Sequence, residues 1–183
     1  MKFNEASLLG VYTIELKMFG DERGFFARQF CANEFHERGL MSNVVQINNS
    51  LSATKGTLRG MHYQLAPNAE TKVVRCIRGS LYDVLLDLRA DSPTYGQTFG
   101  ANLSADNRLV MYCPKGCAHG FVTLEDDTEV IYLVDASYAP EAERIVRWND
   151  PKFNIQWPIQ PVVLSDKDAG APDFDPKWHL GVG

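Results

Sequence analysis

From about residue 44 to residue 148 the chain repeats one pattern: a short run of β-branched and aromatic residues, then a turn signal. SLYDVLLDLR (80–89) is the clearest run, with Tyr82, Val84, Leu86 and Leu88 on one face and Asp83 and Asp87 on the other. Period-two alternation suits a strand and does not suit a helix, whose apolar positions recur every three to four residues. KVVRCI (72–77), LVMYC (109–113), HGFVTL (119–124), EVIYLV (129–134) and ERIVRW (143–148) read the same way. RGS (78–80), ADSPTYG (90–96), SADN (104–107), CPKG (113–116), EDD (125–127) and YAPE (138–141) break them into separate strands. One segment has helical character, NEFHERGL (33–40), with Asn33 as expected N-cap and Gly39 as its stop. Many short strands with almost no helix predict an all-β sandwich or barrel.

At 183 residues with 45% hydrophobic content, the chain is expected to form a single domain spanning 1–183 with a real core. After residue 148 its character changes. The segment WNDPKFNIQWPIQPVVLSDKDAGAPDFDPKWHL is rich in Pro, Asp and Trp and predicts an irregular tail packed across the sheet. Phe153, Ile155, Trp157 and Trp178 carry too much apolar area for that tail to float free. A net charge of -5 argues against a nucleic-acid backbone partner, which selects a basic face. No run reaches membrane-spanning length, and MKFNEASLLG lacks a signal-peptide pattern, so no membrane partner and a cytoplasmic location are expected. Cys31, Cys76, Cys113 and Cys117 form no CxxC pair and read as reduced, mostly buried thiols.

Three chemistries are open to these residues. His62 on one strand, and His119 within PKGCAHG, resemble the two motifs of the cupins, small β-barrels that often hold a metal. The metal-binding members carry an H-x-H pair, and here the pair reads His62-Tyr63-Gln64, without the second imidazole. With His36 in the helix and His179 in the tail, a three-nitrogen site has no obvious ligand set, so no metal is expected. Nucleophilic catalysis has little support, because no serine lies in a nucleophile elbow and no cysteine in an activating context. Proton transfer is the remaining chemistry. A histidine whose second nitrogen meets a carboxylate has a fixed tautomer, and Asp83, Asp87, Asp166 and Asp168 are candidate partners. Tyr132 can supply a phenolic proton, while Arg59 and Lys72 can hold phosphate or an oxyanion.

DERGFFAR (21–28), VVQINNS (44–50), KGTLRGMHYQ (55–64), TKVVRCIRGSLYDVLLDLRADSPTYG (71–96), PKGCAHGF (114–121), YAPE (138–141), WNDP (148–151) and LSDKD (164–168) come in that order. From about residue 10 to residue 170 this resembles the dTDP-4-dehydrorhamnose 3,5-epimerase family (the RmlC type). The resemblance implies a metal-free, cofactor-independent cupin jelly roll, with short helices and the irregular tail. It implies a homodimer that exchanges its N-terminal arms, about residues 1–30, and a substrate that is a nucleotide-linked 4-keto-6-deoxyhexose. It assigns His62 as base and Tyr132 as acid on the opposite face. Asp168 of SDKD matches the partner of the base, His119 and Asp83 a second pair, and Lys72 the cation near the keto oxygen. Arg23, Gln46, Asn48, Arg59, Glu143 and Lys167 match ligand-contacting positions, and Tyr138 an aromatic that packs on the ligand. Arg28 stands where the family has a Glu that contacts the nucleotide base, which replaces an acceptor with donors and leaves dTDP or CDP as the carrier. Alternatives are an epimerase of C3 alone or C5 alone, a ketoisomerase, a non-catalytic sugar-nucleotide-binding cupin and a metal-dependent dioxygenase-type cupin. One geometric demand follows from the strand itself. Regular alternation sends Arg59 and His62 to opposite faces, so a shared pocket requires a break in parity, with Gly60 the place for it.

Overall fold

A computed structural model describes residues 1–181. Two antiparallel sheets face one another. In chain order the elements begin with β1 (Lys2–Glu5), β2 (Tyr12–Glu15), the hairpin β3 (Met18–Asp21) and β4 (Gly24–Ala27), then α1 (Ala32–His36). The body follows as β5 (Gln46–Ser52), β6 (Leu58–Gln64), β7 (Lys72–Arg78), β8 (Ser80–Asp87), β9 (Thr98–Ser104), β10 (Val110–Cys113), β11 (Cys117–Thr123), β12 (Thr128–Val134) and β13 (Glu143–Ile145). The tail adds α2 (Asp166–Ala169) and α3 (Pro176–Leu180). The larger sheet runs β1-β2-β10-β7-β12-β5 and the smaller β13-β6-β11-β8-β9, while β3 and β4 form a separate two-stranded sheet. Sequence neighbours such as β6 and β7 fall in different sheets, and the result is the jelly roll of the cupins.

Alternation sorts each strand between two cores. On β8, Leu81 and Leu85 point inward and pack with Val74, Met111, Phe121 and Val130 from both sheets. Val84 and Leu86 point outward, where the tail covers them with Phe153 and Ile155. Each such side chain contributes about 1.5–3 kcal/mol by leaving water. Both faces of β8 are therefore buried, and the aspartates lie inside rather than at a wet surface. Asp87 shows how that is tolerated. It accepts from the Arg89 backbone and guanidinium, the Ser92 hydroxyl and the Thr94 hydroxyl at 2.5–3.0 Å. Burial acts to raise its pKa, but these donors prevail and hold it at about 2.

The helix differs from expectation. It spans Ala32–His36 with Cys31 at the N-cap and no side-chain cap, so it starts before Asn33 and ends earlier than residue 40. Phe35 is what places it: the ring is fully buried against Ile14, Val73, Val110 and Tyr112 on the outer face of the larger sheet. Packing outweighs a missing cap worth about 1 kcal/mol. Gly39 does take the left-handed conformation of a stop, at φ +68°. The tail packs as expected at Phe153, Ile155 and Trp157, but Trp178 stays 42% exposed beneath the Arg144 guanidinium. The cysteines are free, with Cys76, Cys113 and Cys117 buried; burial pushes the Cys117 thiol up to about 12.

Parity does break on β6. Arg59 is opposite Phe121 and His62 opposite His119, so three residues of β6 span two of β11. The extra residue lies at Gly60-Met61, facing Gly120, and the peptide joining them is cis. Gly60 has φ +145°, and a Cβ there would sit 2.5 Å from the Gly120 Cα. The two strands touch backbone to backbone at this point, which only glycine permits.

Candidate active site

The bulge turns Arg59 and His62 into the same cavity, a space of about 500 Å³ between the sheets. β6 and β11 form one wall with Arg59, His62, His119 and Phe121. The other wall comes from β5, β7 and β12, with Gln46, Asn48, Ser50, Lys72, Tyr132 and Val134. The register explains the second wall: Tyr132 lies beside Asn48 and Val74, and Val134 beside Gln46 and Lys72, so these side chains share the inward face.

His62 Nε2 is 2.5 Å from Asp168 Oδ1. Asp168 is almost wholly buried, and α2 is what brings it there. Ser165 caps that single turn, its hydroxyl accepting from the Asp168 backbone N–H at 3.1 Å. An ionised carboxylate only accepts, so Nε2–H donates and the ring's free lone pair is on Nδ1. Between the two acids of SDKD, it is Asp168 that meets the base; Asp166 stays exposed. His119 forms a second pair, Nε2 to Asp83 Oδ1 at 2.7 Å, with Asp83 fully buried behind the cavity wall. The other Asp83 oxygen has no hydrogen-bond partner among the described residues.

Gln64 also has a definite task. Its amide donates to the Asn68 and Ser137 carbonyls and accepts from the Ala139 N–H, tying two loops to the strand. At the mouth, Tyr138 OH donates to Glu143 Oε2 at 2.7 Å, and Lys167 pairs with the same oxygen. Burial acts to raise the Glu143 pKa, but the bonds from Lys167 and Tyr138 hold it below the usual carboxylate value. Tyr138 also donates its backbone N–H to Gln46 Oε1, so the lip is pinned to β5.

Most of the residues expected at a site thus share one cavity or its rim. Lys167 reaches it through Glu143, and Asp83 supports it through His119. Arg23 and Arg28 lie elsewhere. Arg23 caps the tip of the β3–β4 hairpin, 84% exposed and paired with Asp21. Arg28 pairs with Glu34 of α1, which also takes the Met1 ammonium. The sequence reading missed Glu70, Ser50, Phe121 and Ser165. Alternation on VVQINNS gave a signal for Ser50, since Gln46, Asn48 and Ser50 must share a face. Glu70 is in a loop, where no periodicity points to it.

Comparison with known proteins agrees with this picture. Residues 5–176 match the family model described as dTDP-4-dehydrorhamnose 3,5-epimerase. A curated protein of that name from Shigella flexneri is 47% identical over 165 residues, 90% of this chain and 91% of that one. The crystal structure of the enzyme of that name from Elizabethkingia anophelis is 41% identical and superimposes with a TM-score of 0.92, covering 95% of this chain and 96% of that one. The Legionella pneumophila 3,5-epimerase in complex with dTDP-4-keto-L-rhamnose gives a TM-score of 0.91 at 38% identity, covering 98% and 97%. With fold and nearly the whole length in agreement, this chain belongs to the dTDP-4-dehydrorhamnose 3,5-epimerase family.

Proposed function

We propose that the chain inverts C3 and C5 of a dTDP-linked 4-keto-6-deoxyhexose in deoxysugar biosynthesis. The observation that carries this reading is a His62–Asp168 dyad on one sheet and Tyr132 on the other, both lining one cavity. The C4 carbonyl acidifies the protons on both neighbouring carbons, so a positioned base is sufficient to remove them. His62 takes a proton from carbon through Nδ1, and the electron pair of that C–H bond moves into the enolate. The Lys72 ammonium stabilises the oxyanion. Tyr132 then donates its phenolic proton to the opposite face of the same carbon, which inverts it. Solvent restores the phenol and takes the proton from His62. Asp168 stabilises the imidazolium while it lasts.

Arg59 suits the diphosphate. Ser52 and the Leu51 carbonyl take two of its N–H groups at 3.2 Å, which fixes the fork. Tyr138, 58% exposed at the lip, suits packing against the nucleotide. Four free thiols favour a reducing compartment, in keeping with work in the cytoplasm.

The test is turnover of dTDP-4-keto-6-deoxyglucose in deuterated water. Label at both C3 and C5 is expected. Label at one carbon means a monoepimerase, and label at neither overturns the reading. In Tyr132→Phe, inversion should fall about 100-fold or more while proton abstraction persists, so exchange with retention exceeds epimerisation.

We further propose a homodimer in which the β3–β4 hairpin packs on the partner and carries Arg23 to its cavity. Met18, Phe19, Phe25 and Phe26 are about half exposed or more on that hairpin, and Ile47 and Leu51 on the outer face of edge strand β5. Apolar patches of this size seldom remain wet in a finished assembly. Arg23→Ala should raise KM for the dTDP-sugar with a smaller effect on kcat, and sedimentation should give the dimer mass. A monomer of full activity would sink this arrangement.

A further inference from the structure

Glu70 and Lys72 form an ion pair inside the cavity wall, Nζ to Oε1 at 3.2 Å, with side chains only 13% and 9% exposed. Lys72 also donates one N–H to the His62 carbonyl at 3.2 Å. An ammonium has three such donors, so donor capacity is left for the cavity. The other carboxylates around the cavity are engaged elsewhere: Asp168 with His62, Glu143 with Lys167 and Tyr138, Asp83 with His119. Among the described residues, Glu70 is therefore the carboxylate that balances Lys72. A lysine on a flexible four-carbon stem, this far from water, is costly to keep charged without a partner.

We infer that Glu70 is a positioning residue: its carboxylate, with the His62 carbonyl, anchors the Lys72 ammonium and leaves a free N–H aimed at the oxygen that becomes negative. The inference rests on the epimerase reading for the role of Lys72. The geometry also links the two halves of the reaction. The same ammonium that faces the oxyanion is tethered to the backbone of the base, so proton removal and charge stabilisation share one fixed frame. The loop that carries Glu70 does not depend on it, because Gln64 already ties residue 68 to β6.

A double-mutant cycle with Lys72→Met separates this role from a structural one. Glu70→Ala should lower kcat about 10- to 100-fold through misplacement of the ammonium. The Kd for dTDP, read by calorimetry, should stay within about twofold. In the Lys72→Met background, Glu70→Ala should have no further effect on deuterium incorporation at C3 and C5. Long incubation at high enzyme concentration keeps the slow variants measurable. Two results overturn the inference: a Glu70→Ala kcat within about twofold of the parent, or an undiminished Glu70→Ala loss in the Lys72→Met background. If the parent protein incorporates no deuterium, the epimerase reading fails instead, and that outcome is seen before any variant is made.

Discussion

His62→Ala should lower turnover and C3/C5 exchange together, by about a thousand- to ten-thousand-fold, while dTDP still binds. The size follows from the absence of a substitute. Among the described cavity residues, His119 is the other imidazole, and its Nε2 is committed to Asp83 on the buried side. Glu143 is held by Lys167 and Tyr138, so it cannot swing in as a base. Stability should fall by about 1–3 kcal/mol, because the Asp168 carboxylate loses its donor, while the one-third exposed site admits water and leaves no sealed void. Calorimetric binding of dTDP is the control that separates lost chemistry from a lost site. Exchange within tenfold of the parent would remove His62 from the role of base.

Gly60→Ala should be the most damaging single methyl in the protein, at about 3–5 kcal/mol from a disfavoured backbone and a backbone clash combined. The added Cβ meets the Gly120 Cα at 2.5 Å and the His119 carbonyl at 3.2 Å, and neither is the yielding end of a side chain. In a chain of this length that is roughly a 10 °C fall in Tm. Gly24→Ala supplies the comparison. Its φ is +126°, but a Cβ there has no atom within 4 Å, so it carries the conformational cost without the clash. Equal Tm values for the two variants would show that the contact between β6 and β11 does not set the cost. Activity should fall with Gly60→Ala even in the folded fraction, since relieving the clash moves Arg59 relative to His62.

The strands were legible because alternation survives burial: the face of β8 with Tyr82, Val84 and Leu86 was recoverable from residue types alone. What alternation could not reveal is where each face looks. Asp83 and Asp87 are polar by type yet lie inside, where His119 from β11 and the Arg89–Thr94 turn supply the donors. The parity problem at Arg59 and His62 was also legible, because two pocket residues three apart cannot share a face of a regular strand. The helix start was not, since Asn33 is the better cap on local grounds and the burial of Phe35 overrules it. Glu70 escaped for a related reason. A loop residue has no period, and its meaning comes from a lysine it meets through the turn of the chain. The choice between Asp166 and Asp168 needed the orientation of α2, which the order of residues in SDKD does not contain.

The dyad joins positions 106 residues apart, one on a central strand and one in the last turns of the tail. Nothing local holds them together: Asp168 is in place only when the segment after β13 has wrapped back over the smaller sheet. The capacity to move a proton is therefore a late property of the folding molecule. A chain with both sheets formed and its tail undocked would keep its strand content and still be inert, so turnover, like the fluorescence of Trp157 and Trp178, reports that the final segment has closed.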